Sequence, residues 1–341
     1  MKRTFDLGLL SDYRTELMGI AAIMVVICHC LQPPSVYYHS EIIKWFLVQG
    51  NRGVDIFFFV SGLGLCISLG KMFRAKNSMP INKKIRRWYL RRFSRILPVY
   101  LALGLLYFVL EGIRNDTLTI PYLIGNITTV QYWFTGKGIW FIAALIPLYL
   151  VTPFYYLLFR RIDKKLGLTV FLVIICLLAG CYFRENTLRL LAKIPSFVIG
   201  FYMADLIMAR KKINIYALFA AVVGLIVIIK VVFPAGSYYE WLFIFPIMLV
   251  AVACFRIPSV RKGANWCGKI SLESYISNCV MISLMGLVSL EFFPDWLLYG
   301  HYFRYGLIII FGTLLAWGTS ETISRIQKAS NKSCLTSDTC K

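Results

Sequence analysis

Two ionisable side chains stand deep within apolar stretches of this sequence: His29, at the end of ELMGIAAIMVVICH (Glu16–His29), and Asp55, inside GVDIFFFVSG (Gly53–Gly62). An ionisable group within a membrane segment is costly, so each is a candidate for function. Neutral imidazole takes a proton from a hydroxyl near neutral pH, which is the task of a general base. A hydrogen-bonded structural histidine is the competing reading. Asp55 needs a partner, and His29 and Arg52 are the candidates. An Asp55–His29 pair would orient the ring and raise its basicity. The other charges at membrane depth read as structural: Asp205 would pair with a basic neighbour, Lys230 would snorkel from a span end, and Glu273 suits the N-terminus of its helix.

These side chains must be positioned by helices in a bilayer. Fifty-nine per cent of the 341 residues are hydrophobic and 16% are charged, and the mean hydropathy is +0.69. A soluble chain carries about 25% charged residues, so the expected fold is all-α, a polytopic transmembrane helical bundle. Polar breaks divide it into about ten spans of roughly 17–25 residues, the length that crosses a bilayer. They lie near 15–32, 45–70, 94–111, 138–158, 167–183, 188–208, 213–233, 240–256, 270–290 and 303–324. Alternate breaks, at 1–14, 71–95, 160–165, 209–212, 256–269 and 325–341, hold 28 of the 37 Lys and Arg residues. Positive charge collects on the cytoplasmic side, which puts both termini inside. The expected organisation is a membrane domain over residues 1–327, surrounded by lipid, and a short basic cytoplasmic tail over 328–341.

That placement accounts for the net charge of +21 and argues against nucleic acid as a partner. The polar stretch Met1–Asp12 precedes a long apolar run with no cleavage site, unlike a signal peptide. The ten cysteines suggest no redox framework, and the three histidines are too widely separated for a metal site.

The segment Lys71–Arg95 carries ten cations and no carboxylate, with Trp88, Tyr89 and Phe93 among them. Its second half, KKIRRWYLRRFSR, predicts a basic surface helix running into the third span. One reading is an anchor on anionic headgroups. The other is a cradle for a polyanionic cytosolic cofactor, because arginine binds phosphate bidentately. Gly53 and Ser61-Gly62 predict close helix contacts of the kind that hold membrane bundles together.

At these residues the sequence resembles the membrane-bound acyltransferase family 3, acyl-CoA-dependent O-acyltransferases of cell-surface polysaccharides. ELMGIAAIMVVICH looks like the family's first span, which ends on its catalytic histidine, and GVDIFFFVSG is close to the family's GVDLFFVLSG. RRFSRILPVY (Arg91–Tyr100) matches its RR-x-x-RI-x-P-x-Y pattern, and IWFIAALIPLYLVTPFYY (Ile139–Tyr156) is similar to its tryptophan-bearing fourth span. IPSFVIGFYMADL and WCGKISLESYI echo two weaker signatures further on. There are departures: Met18 occupies a place, eleven residues before the histidine, where the family commonly has Arg, and Asn278 one where it often has His. Arg14, one turn below Met18 and about 60° round the helix, could substitute for the missing cation.

The resemblance implies transfer of an acyl group, acetyl by preference, from cytosolic acyl-CoA to a hydroxyl of an envelope or exported polysaccharide or glycolipid. It implies His29 and Asp55 as the catalytic pair, with His29 the base. Arg92 and Arg95, supported by Arg86 and Arg87, would hold the donor's phosphates. Trp140, Ser61 and Arg14 would contact substrate, Trp140 being equally suited to an interfacial belt. Asn278 would be structural. Direct transfer and an acyl-enzyme both remain open. The implied location is a bacterial cytoplasmic membrane, with polysaccharide-assembly proteins as candidate partners and no metal. A non-enzymatic polysaccharide exporter of the same architecture is the alternative.

Overall fold

The computed structural model describes residues 4–30, 45, 47–75, 79–180, 189–232, 240–287 and 300–336, and these are helical almost throughout. A short α1 (Gly8–Asp12) leads into α2 (Arg14–Cys30), and α3 (Arg52–Arg74) follows. Helix α4 (Ile81–Val99) continues through a π turn (Tyr100–Gly104) into α5 (Leu105–Arg114). Two short helices, α6 (Ile120–Ile127) and α7 (Val130–Thr135), precede α8 (Trp140–Arg161), α9 (Lys165–Gly180) and α10 (Ile194–Met208). Then come α11 (Ile215–Val232), α12 (Ile244–Cys254), α13 (Pro258–Lys269), α14 (Ser271–Leu287) and α15 (Gly300–Thr336). Strands β1 (Thr4–Asp6) and β2 (Lys212–Asn214) pair antiparallel with Phe5 opposite Ile213. They join two segments that charge assigns to the same side of the membrane.

Every one of the expected spans coincides with a helix of this set. Five helical runs among the described residues are long and apolar enough to cross a membrane: 49–74, 81–114, 140–161, 189–208 and 305–329. The pair α13 and α14, bent by 70°, makes a sixth if counted as one span. Helices α2, α9, α11 and α12 are shorter, and each borders or lies close to residues outside the described set. The boundary expected between residues 327 and 328 falls inside α15, which runs on to Thr336.

Helix α3 is the centre of the bundle, with Asp55, Ile56, Phe58, Phe59, Leu63 and Cys66 at most 1% exposed. Lipid tails are as apolar as leucine, so helices in a membrane associate through close packing, and small residues let the backbones approach. A Cβ added to Gly62 would strike the Phe197 carbonyl on α10, and one added to Gly200 would strike the Phe59 carbonyl on α3. The contact expected at Ser61-Gly62 is therefore made with α10. A second reciprocal contact, Gly19 with Ala264 and Gly268 with Thr15, fastens α13 to α2. Buried Glu16 adds to it by accepting from Arg261 Nε at 3.4 Å and Asn265 Nδ2 at 3.2 Å.

The basic helix and the third span form one rod, because Pro98 lies inside it without ending it. Proline has no N–H, so the Ser94 carbonyl one turn back loses its helical donor. Gln327 Nε2 on α15 supplies the replacement at 3.1 Å. Asp205 pairs with Lys165 at 2.7 Å, in keeping with the structural role expected of it.

Candidate active site

The basic face of α4 borders a cleft of about 460 Å³. Six cations line it, Arg14, Lys71, Lys84, Arg87, Arg91 and Arg92, and no carboxylate does. On α4 these positions recur at helical spacing, so they project from one side of the helix. Trp88, 5% exposed, anchors that side: its Nε1 donates to Ser68 Oγ at 3.2 Å. The Arg92 guanidinium lies over the Trp88 ring, 5.7 Å from its centroid. Uncompensated positive charge of this density favours a polyanion.

An inner chamber of about 110 Å³ opens from the cleft and shares Arg14, Gly64 and Arg92 with it. Arg95, Met18, Ser61, Phe141, Ser271 and Tyr275 are among its walls. Arg14 lies so close against α3 that a Cβ on Gly64 would come 2.7 Å from its Nη1. Met18 thus faces the chamber beside Arg14, and the cation one turn lower on α2 supplies the charge that Met18 does not.

Tyr275 closes the chamber. Its ring packs against Phe141 with centroids 5.0 Å apart and against His29 at 5.6 Å. His29 lies behind that ring, and its Nδ1 is 3.2 Å from Asn278 Oδ1. An amide oxygen only accepts, so Nδ1 is the protonated nitrogen and Nε2 keeps its lone pair. The imidazole is held as the tautomer in which Nε2 can act as a base.

The expected Asp55–His29 pair is not formed. Asp55 Oδ2 accepts from Lys193 Nζ at 2.8 Å and Oδ1 from Ser196 Oγ at 3.3 Å. With side-chain exposures of 1% for Asp55 and 11% for Lys193, this is a buried tie between α3 and the start of α10. The close Gly62–Gly200 crossing explains it: α3 packs on α10, and Asp55 faces that helix.

Of the residues singled out from the sequence, Arg14, Ser61, Arg92 and Arg95 meet in the inner chamber and Arg87 lines the cleft outside it. Arg86 is exposed and on neither lining, because it points about 100° away from Arg87. Trp140 heads α8 and packs edge-on against Phe141 at 6.4 Å; Phe141, not Trp140, is on the chamber wall. The sequence reading did not single out Lys71, Lys84, Arg91, Tyr275, Lys193 or Ser196, and it gave Asn278 no tie to His29. Helical phase carries a signal for several of these: Lys84, Arg87, Arg91 and Arg95 repeat every three or four residues, as do Ser271, Tyr275 and Asn278.

A largely helical chain with several membrane-length apolar helices, a basic cleft and a histidine behind it is a multi-pass membrane protein with the layout of an enzyme. The family model of acyltransferase family 3, an acyltransferase domain, matches residues 17–320. The chain belongs to that family and is a membrane acyltransferase. No curated protein matches it, and no solved structure does.

Proposed function

We propose that this enzyme moves an acyl group, acetyl by preference, from cytosolic acyl-CoA to a hydroxyl of an envelope or exported polysaccharide or glycolipid. One observation carries the reading: the passage from a cleft lined by six cations, through Arg14 and Arg92, to the Tyr275 ring against His29. Arg87 and Arg92 hold the donor's phosphates, with Arg91, Lys71 and Lys84 beside them. Arg14 and Arg95 guard the neck, and the thioester arm enters the chamber. Arg14 and His29 are fifteen residues apart on α2, about 22 Å at 1.5 Å per residue, a distance suited to an extended pantetheine arm.

His29 Nε2 removes the hydroxyl proton as the oxygen attacks the thioester carbon. The C–S bond then breaks, and the proton on Nε2 passes to the departing sulfur. Asp55 acts at a distance from this chemistry, as the tie that holds α3 to α10.

In this reading ten spans cross a bacterial cytoplasmic membrane with both termini inside. The antiparallel pairing of β1 with β2 supports it, as does the contact of Gln327 with Ser94, since each joins segments that charge places in the cytoplasm. A polysaccharide exporter would need a conduit, and a chamber of about 110 Å³ disfavours one. The test supplies labelled acetyl-CoA to membranes containing wild type or His29→Ala and follows label into glycan. Incorporation that depends on His29 is the expected result. Equal incorporation by both, or export lost while ester content is unchanged, would sink the reading.

A further inference from the structure

Helix α14 carries Ser271, Tyr275 and Asn278 at intervals of four and three residues, a single stripe along one side. Ser271 and Tyr275 line the inner chamber, and Asn278, a turn further on, holds His29. Asn278 is 1% exposed, and among the described residues its Nδ2 has no hydrogen-bond partner. A buried N–H left unpaired costs about 1–3 kcal/mol, whereas an apolar residue of similar shape costs nothing of the kind. Packing alone therefore gives no reason for an amide here. Its oxygen is used on His29, and its nitrogen is left over beside the base.

We infer that Asn278 both positions the base and binds the acceptor: Oδ1 fixes the Nδ1–H tautomer of His29, and Nδ2 donates to the oxygen of the acceptor hydroxyl. The inference rests on the reading of His29 as the general base. An alcohol offers one hydrogen to give and lone pairs to receive, and His29 Nε2 with Asn278 Nδ2 presents the complementary acceptor and donor. The ligand class is a neutral alcohol, such as a sugar hydroxyl. In the transfer the hydroxyl proton goes to Nε2, the oxygen forms its bond to the thioester carbon, and the C–S bond breaks. The Nε2 proton then goes to sulfur, giving the free thiol. The proton on Nδ1 stays with Asn278 throughout.

The test uses the full-length protein in membranes, with labelled acetyl-CoA as donor and the envelope glycan from a His29→Ala strain as acceptor. Asn278→Leu keeps the branched shape and removes both polar ends. Asn278→His restores one acceptor and one N–H donor. The Leu variant should melt no lower than wild type yet transfer on the order of 100-fold more slowly, with the KM for acetyl-CoA moved by less than about twofold. The His variant should recover to within about tenfold of wild type. Transfer by Asn278→Leu at the wild-type rate, while His29→Ala is inactive, overturns this inference alone. So does a loss that merely tracks a lower melting temperature, or one that Asn278→His leaves uncorrected. Normal transfer by His29→Ala overturns this inference and the proposed function together.

Discussion

Asp55 and His29 stand on neighbouring helices, and both are polar groups enclosed by apolar side chains, yet the bundle treats them differently. Asp55 is satisfied: a lysine and a serine from α10 meet its two oxygens. His29 meets one amide oxygen, and around it an acceptor nitrogen and an amide N–H are unspent. A buried carboxylate must be paired or the fold fails, so Asp55 has no capacity left for a substrate. The imidazole–amide pair is neutral and tolerates a vacancy at modest cost, and that vacancy is where a hydroxyl fits. The difference separates a structural group from a chemical one more sharply than residue type does.

Four variants break or sharpen this contrast. His29→Ala removes the base and should lower transfer by about 10²–10⁴-fold while leaving the melting temperature near that of wild type, a general-base loss. Asp55→Ala leaves Lys193 buried without its carboxylate and should cost about 3–5 kcal/mol of stability. Combining Asp55→Leu with Lys193→Met should restore most of that stability and, with it, transfer. Thermal melts paired with transfer assays read both outcomes; a stable but inactive double variant would give Asp55 a role in the chemistry. Arg92→Gln should raise the KM for acetyl-CoA by about tenfold with kcat little changed, the signature of lost ground-state binding. Arg86→Gln, changing an exposed charge on another side of the same helix, should stay within about twofold of wild type in both constants.

Membrane class, the basic helix and the family were legible from the sequence, because each is carried by local composition or short motifs. His29 was legible for the same reason. The partner of Asp55 was not: Lys193 is 138 positions away, at a polar break where a lysine reads as an interfacial charge. Asn278 lies 249 positions from His29, and only the packing of α14 on α2 joins them. Arg86 and Arg87 show a finer limit. Adjacent arginines are equivalent in a charge count, and only the phase of α4 against α3 turns one into the cleft and the other out.

The central claim is that donor reaches His29 from the basic face. Sealed membrane vesicles of both orientations, given labelled acetyl-CoA from outside, test it most directly. Inside-out vesicles, which expose the basic face to the added donor, should incorporate label in a His29-dependent manner, and right-side-out vesicles should not. Equal incorporation in both orientations, or incorporation confined to right-side-out vesicles, would contradict it.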